Sequence, residues 1–139
     1  MTAIEMQGRL LTDLFQLNSR MLKRVDHALS FHGISHTEFQ ILTALDEAPG
    51  GSMARIDLAR AVGMSASGVT RLLAPMEKLG MVKKEKHPRD ARKSMMKLSD
   101  AGRRIREESA VTFQECAEDI FMSLNTDHLE QIDELIDRL

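Results

Sequence analysis

Within SMARIDLARAVGMSASGVTRLLAPMEKLGMV, residues 52–82, Ala59, Gly63 and Val69 stand four and six positions apart. Two short helices cross at a steep angle only when the first offers a small residue at the contact and the turn between them tolerates close approach, usually through Gly. Ala59 and Gly63 meet both conditions. Val69 falls where a β-branched residue of the second helix packs back on Ala59, and Leu58, Val62, Met64 and Leu72 fill the remaining core steps. Seven positions agree within fifteen residues, so the spacing predicts a helix-turn-helix at the centre of the chain.

Ser65 is placed to cap the second of these helices, whose exposed first turns carry Ala66, Ser67, Gly68, Thr70 and Arg71. Short side chains permit close approach to a nucleic-acid groove, and an arginine can fork onto guanine or phosphate. Ser65, Ser67, Gly68, Thr70 and Arg71 are therefore the candidate DNA-reading residues. A solvated helix face would use similar residue types, so the segment that follows matters.

That segment is KKEKHPRDARKSMMKL, residues 83–98, with seven Lys and Arg in sixteen positions. It reads as a β-prone piece at 81–85, a turn around His87-Pro88-Arg89-Asp90, and a second extended piece over 92–98. Pro88 lacks an amide hydrogen and suits a hairpin tip, not a strand centre. A basic hairpin directly after a reading helix is a wing that can reach an adjacent minor groove. Its candidate contacts are Lys84, Lys86, Arg89, Asp90, Arg92 and Lys93, with Asp90 two positions from Arg92 and able to orient its guanidinium. Charge partition supports this reading. Residues 52–106 hold fourteen Lys/Arg against five Asp/Glu, a balance of +9 in a chain of net charge -2, whereas 107–139 hold one against ten. A basic middle points to a polyanion partner, and an acidic C-terminus fits a face turned away from phosphate.

On either side, apolar residues recur at helical spacing. Residues 4–30 form a long amphipathic helix broken by FHGISH, and Thr37 with Gln40 has the form of a capping box opening a second helix that APGG, residues 48–51, ends. Gly80 is placed to close the reading helix with a left-handed cap. Ser99 can cap a helix carrying Ile105, Phe113, Cys116 or Ala117, Ile120 and Leu124, and Thr126 can cap a last one. The fold class is mainly α with a small β-hairpin: a winged helix-turn-helix plus terminal dimerisation helices. The expected division is 1–35 (N-terminal dimerisation helix and connector), 36–99 (winged helix-turn-helix) and 100–139 (C-terminal dimerisation helices). The terminal helices are not needed to complete a winged helix, and a homodimer that interlocks them would fix the spacing of two reading helices.

Other classes find less support. The chain has no apolar run of the roughly 18 to 20 residues that a membrane-spanning helix needs, and its start lacks the pattern of a secretory signal, so no membrane partner and a cytoplasmic location are expected. A lone cysteine, Cys116, excludes an intramolecular disulfide and reads as a packed thiol on an apolar stripe. His27, His32 and His36, with Glu38, His87, Cys116 and His128 as companions, read as polar surface and not as a convergent metal site. Most of the ten Met residues stand at core-type positions. No phosphate loop, paired-carboxylate cleft, nucleophile elbow or His-Cys signature is present, so no catalytic residues, cofactor or metal are expected.

The stretches HTEFQILTAL, LARAVGMSASGVTRLLAPMEKLGMV and HPRDARKSMMKLSDAG, together with the terminal helices, resemble the MarR family of bacterial winged-helix transcription regulators. The resemblance spans nearly the whole chain, and the wing with LSDAG is its most specific part. It implies an obligate homodimer of triangular shape, two winged-helix lobes on a pseudo-palindromic duplex, and a small-molecule effector that releases DNA from a cleft between dimer helices and lobe. Asp90 and Arg92 match the family's wing motif, with Arg92 the minor-groove or phosphate residue, and Ser65, Ser67, Thr70 and Arg71 match recognition-helix positions. Peroxide-sensing members carry a reactive Cys in the first helix, where this sequence has none. Pro75 departs from the family pattern; it removes one helical hydrogen bond and is expected to bend the helix near Arg71 to Ala74. The function expected is a sequence-specific DNA-binding transcriptional repressor. The competing reading is a winged-helix interaction module that binds an acidic protein partner, and preference for one duplex over random DNA at fixed salt separates the two.

Overall fold

The computed structural model describes residues 1–139. Six helices and three strands follow in order: α1 (Ala3–Leu29), α2 (His36–Glu47), β1 (Ser52–Ala54), α3 (Arg55–Ala61), α4 (Ala66–Lys78), β2 (Val82–Lys86), β3 (Ser94–Leu98), α5 (Asp100–Ile120) and α6 (Thr126–Ile136). Single 3-10 turns at Ser30–His32 and Pro49–Gly51 bracket α2. The strands form one antiparallel sheet in the order β1-β3-β2.

The sheet is where the sequence reading needs most correction. The sequence predicts a two-stranded hairpin and two helices within residues 52–82; instead Ser52–Ala54 form a third strand that pairs with β3 in the register Met53↔Met96. Backbone pairing overrides the local pattern, because an otherwise unpaired edge of β3 lies beside them. The second wing strand also starts at Ser94, two residues later than expected, leaving residues 87–93 as the connection.

Two helix starts shift as well. Ser35, not Thr37, caps α2: its hydroxyl accepts from the Glu38 amide at 3.2 Å, and Glu38 Oε1 accepts from the Ser35 amide at 3.0 Å. Asn125, not Thr126, caps α6. In both places two cap-competent residues lie within two positions, and the residue just outside the helical backbone is the one that can turn its oxygen onto the first free amides. At the other end of the chain Thr2 and Glu5 form a reciprocal capping box, whose hydrogen bonds hold the Glu5 carboxyl below its ordinary value. That cap is in place above the ordinary carboxylate range and is lost as pH falls through the lowered titration.

One core of seventeen buried residues runs through the molecule. Leu29 from α1, Leu42 and Leu45 from α2, Leu58 from α3, Val69, Leu73 and Met76 from α4, and Met96 from β3 are all fully covered. Leu72, expected in the core, is half-buried, and Leu73 beside it takes the central place. Alternation along the wing base follows the pleat. Val82, Met96 and Leu98 face the core, while Lys83 and Lys97 pair across its outer face.

The wing base is fastened at the carbonyl of Met81. After α4, Gly80 adopts φ +77°, Met81 N donates to Met76 O and Gly80 N donates to Glu77 O, a left-handed helix closure of the Schellman type. Ser99 donates its amide to Met81 O at 3.1 Å and directs its hydroxyl at both Gly80 O, 2.5 Å away, and Met81 O, 2.9 Å away, while its hydroxyl oxygen accepts from Gly102 N at 2.9 Å. Gly102 is buried so closely against this joint that a Cβ there would lie 2.1 Å from Met81 O and 2.9 Å from Leu98 Cδ1. Gly102→Ala is expected to destabilise the fold by about 1–3 kcal/mol, the usual cost of forcing atoms into a packed site. An unchanged denaturant midpoint would contradict the close packing of this joint.

Candidate nucleic-acid interface

The reading face begins at the turn between α3 and α4. Gly63 adopts φ +67°, Met64 N donates to Ala59 O at 2.9 Å and Gly63 N donates to Arg60 O at 3.3 Å. The expected Ala59-Gly63-Val69 geometry is present, with Ala59 and Val69 buried in the same core. Ser65 caps α4 by accepting from Gly68 N at 3.1 Å, and its oxygen lies 3.3 Å from Ser67 Oγ. Gly68 has a local steric reason to be Gly, since a Cβ would come within 3.1 Å of Ser65 Oγ and 3.2 Å of Met64 Cε. Ser65, Ser67, Thr70 and Arg71 are exposed along one side of the first two turns, and Gly68 is half-buried beneath them. Helix α4 continues unbroken through Pro75 to Lys78.

The wing carries the other candidates. Lys84, Lys86, Arg89, Arg92 and Lys93 are all exposed, and Asp90 is half-buried. Asp90 Oδ1 accepts from the Arg92 amide at 3.0 Å, which shapes the turn, and meets Arg92 Nε at 3.4 Å. The second contact is loose. With the Arg92 side chain 94% exposed, an ion pair of this kind contributes about 0–1 kcal/mol, so Asp90 acts mainly on the backbone.

His87, expected only as part of the turn and as polar surface, has a structural role in the wing. Its Nδ1 accepts from the amides of Arg89 at 3.1 Å and Asp90 at 2.9 Å, so it organises the first turn of the tip. The available signal was His87 two and three residues ahead of amides left unpaired by a turn. Arg55 is a residue that the sequence reading passed over. At the start of α3 its Nε donates to Ser94 Oγ at 2.9 Å and its Nη1 donates to Thr70 Oγ1 at 3.3 Å, linking the wing to the reading helix.

Charge on this side is more selective than the count of fourteen suggests. Arg60 pairs with Asp57, Lys97 with Glu85, and Arg103 and Arg106 both with Asp46. Of the fourteen, nine form no ion pair, and seven of these, Arg71, Lys78, Lys83, Lys84, Lys86, Arg89 and Lys93, lie on α4 and the wing, with Arg55 on α3 and Arg104 on α5. The basic face that remains available to a polyanion is therefore the one the motifs point to.

The other sequence candidates lie elsewhere. His32 Nε2 meets Thr112 Oγ1 at 2.6 Å and the His36 ring stacks on Phe113, which places both in the packing of α2 and its preceding turn against α5. Cys116 is buried in the core. His, Cys, Asp and Glu side chains form no group of three or more able to hold a metal ion.

A model of the MarR family matches residues 32–93, which run from the end of the first connector through the wing tip. The chain is 25% identical over 134 residues to the transcriptional repressor MprA of Escherichia coli strain K12, covering 96% of this chain and 76% of that protein. The central segment of the chain is thus similar to the MarR family of transcriptional regulators. A second relative, the uncharacterized HTH-type transcriptional regulator YdgJ of Bacillus subtilis strain 168, is 35% identical over 71 residues, 51% of this chain and 42% of that protein. The fold matches a MarR family transcriptional regulator from Streptomyces coelicolor in complex with DNA at TM-score 0.87 and 22% identity, covering 99% of this chain and 86% of that one. It also matches a MarR mutant from Escherichia coli complexed with operator DNA at TM-score 0.87 and 19% identity, covering 99% and 98%.

Within the wing, His87→Ala removes the acceptor of two amides. Hydrogen exchange at Arg89 and Asp90 is expected to speed up markedly while the unfolding midpoint stays within about 0.5 kcal/mol of the parent, as for other surface changes. Unaltered exchange would show that the tip is held without the imidazole.

Proposed function

We propose that the chain is a homodimeric, sequence-specific transcriptional repressor that reads a pseudo-palindromic duplex. The observation that carries this reading is the shared side of the molecule occupied by the exposed start of α4 and the unpaired cations of the wing. Ser65, Ser67, Gly68, Thr70 and Arg71 enter the major groove, with Arg71 forking onto a base edge or phosphate. Arg92 reaches the neighbouring minor groove, and Lys84, Lys86, Arg89 and Lys93 neutralise flanking phosphates while Asp90 shapes the turn that presents them. Two of the relatives, MprA and YetL, are named repressors, and two of the similar folds were solved with DNA.

The dimer follows from surface that one chain leaves uncovered. All of α6 and the first eighteen residues of α1 contain no buried residue. Ile4 is 80% exposed, Phe15 65%, Leu135 59% and Ile136 62%. Burying each such side chain is worth about 1.5–3 kcal/mol, and an isolated helix as short as α6 is marginal in water. A second copy that interlocks 1–35 and 100–139 with their counterparts supplies the missing cover. A cleft of about 200 Å³ between α1, α2 and α5, lined by Met21, Leu22, Val25, Phe113 and Phe121, is the place for a small apolar effector.

Selection of bound fragments from genomic DNA at fixed salt tests the function. One enriched motif with dyad symmetry is expected, whereas equal retention of random duplexes would favour the acidic-protein reading. Arg92→Ala is expected to weaken binding to that motif by about tenfold or more without altering the dimer, in line with the ~1–3 kcal/mol carried by a specific contact. Unchanged affinity would remove the wing arginine from recognition. Ile132→Glu, on the exposed stripe of α6, is expected to shift sedimentation toward the monomer; a dimer that persists unchanged would place the interface elsewhere.

A further inference from the structure

We propose that Arg55 is a positioning residue for DNA recognition, a side-chain strut that holds the outer end of the wing at a fixed offset from the reading helix. The proposal rests on the DNA-reading function above. Its geometric basis is the pair of bonds from one guanidinium to two elements: Nε to Ser94 Oγ at 2.9 Å and Nη1 to Thr70 Oγ1 at 3.3 Å. Ser94 opens β3 opposite Lys86, at the far end of the paired wing, and Thr70 lies in the second turn of α4.

A planar guanidinium presents its N–H groups in a rigid fork, so two acceptors bound to it keep a set separation. The lever is short, because Arg55 directly follows β1 and Ala54 is paired with Met95, the neighbour of Ser94. Arg55 thus leaves a backbone already fixed to β3 and spans from there to α4.

The wing needs such a strut. Of β2, only Val82 at the base is buried, and Lys83 to Lys86 are exposed; of β3, Met96 and Leu98 are buried and Ser94 is exposed. The third strand β1 reaches along β3 only as far as Met95, so the Lys86–Ser94 pair and the connection 87–93 project beyond it without a hydrophobic hold, and an unsupported two-stranded ribbon is marginal in water. Major-groove and minor-groove contacts must be made together, so lateral drift of the tip would separate them. Arg55 also sets the polarity of Thr70, whose oxygen accepts from the guanidinium and whose O–H is left to donate toward a base or phosphate.

Exposed polar contacts add little to global stability, so the strut acts on binding far more than on folding. With the selected duplex at fixed salt, Arg55→Ala is expected to lower affinity about tenfold with an unchanged unfolding midpoint, the order of a specific contact. Arg55→Lys should recover little of this, since an ammonium does not reproduce the fork. In an Arg92→Ala background the Arg55→Ala effect should largely vanish, because a wing that no longer contributes gains nothing from being aimed. Additive losses would mean that Arg55 contacts phosphate itself and would overturn the strut, as would full recovery by lysine.

A second measurement does not depend on DNA. In the free protein, Arg55→Ala should speed hydrogen exchange of wing amides between residues 84 and 95 and leave those of α5 unaltered. Identical wing exchange would overturn the proposal. A parent chain that prefers no duplex would instead sink the function reading, and the strut would then stand or fall on exchange alone.

Discussion

The placement of the wing relative to α4 hangs from the carbonyl of Met81. Ser99 donates its amide to it and shares its hydroxyl between it and Gly80 O, and Gly102 lies close enough that no side chain fits between. This one acceptor joins the residue after the reading helix to the residue that opens α5, across the base of the wing. With Val82 and Leu98 paired directly above it, the exit of α4, both wing strands and the entry of α5 become one rigid corner. The wing is therefore an extension of the core at its root, and only its outer half depends on polar contacts.

That division assigns different tasks to the polar residues. At the root, part-buried hydrogen bonds cooperate with the buried Val82, Met96 and Leu98, so disturbing them costs folding energy. At the tip, His87 and Asp90 shape a solvated turn by accepting backbone amides, and Arg92 is left almost wholly exposed. An exposed guanidinium loses little hydration until it meets phosphate or a narrow groove, so its effect appears in binding. The acid-rich helices at the far end complete the polarity of the molecule, keeping a single face attractive to a polyanion.

Much of this was legible in the sequence because it is encoded locally. Ala59, Gly63 and Val69 lie within eleven residues, and the left-handed glycines at 63 and 80 have backbone requirements that few other residues satisfy. Strand β1 was not legible: Ser-Met-Ala has no alternating pattern, and its partner Met96 lies 43 positions away. The caps of α2 and α6 were displaced by one or two residues because Ser, Thr and Asn cluster at both starts and only backbone conformation chooses among them. The +9 count described the right region but not the available charge, since Asp46 on α2 occupies Arg103 and Arg106 of α5. Arg55 could not be found by spacing, as its acceptors lie 15 and 39 residues away. Gly102 was visible as part of LSDAG, but the reason for it, contact with Met81 O, required the fold.

The central claim is that one rigid corner delivers a reading helix and a wing to adjacent grooves of the same duplex. Hydroxyl-radical footprinting of the full chain on its selected site measures this most directly. The account predicts two protected blocks related by a dyad, centred about one helical turn or ~34–36 Å apart, each extended by minor-groove protection on its outer side. A footprint confined to a single groove, or diffuse protection without a dyad, would contradict it.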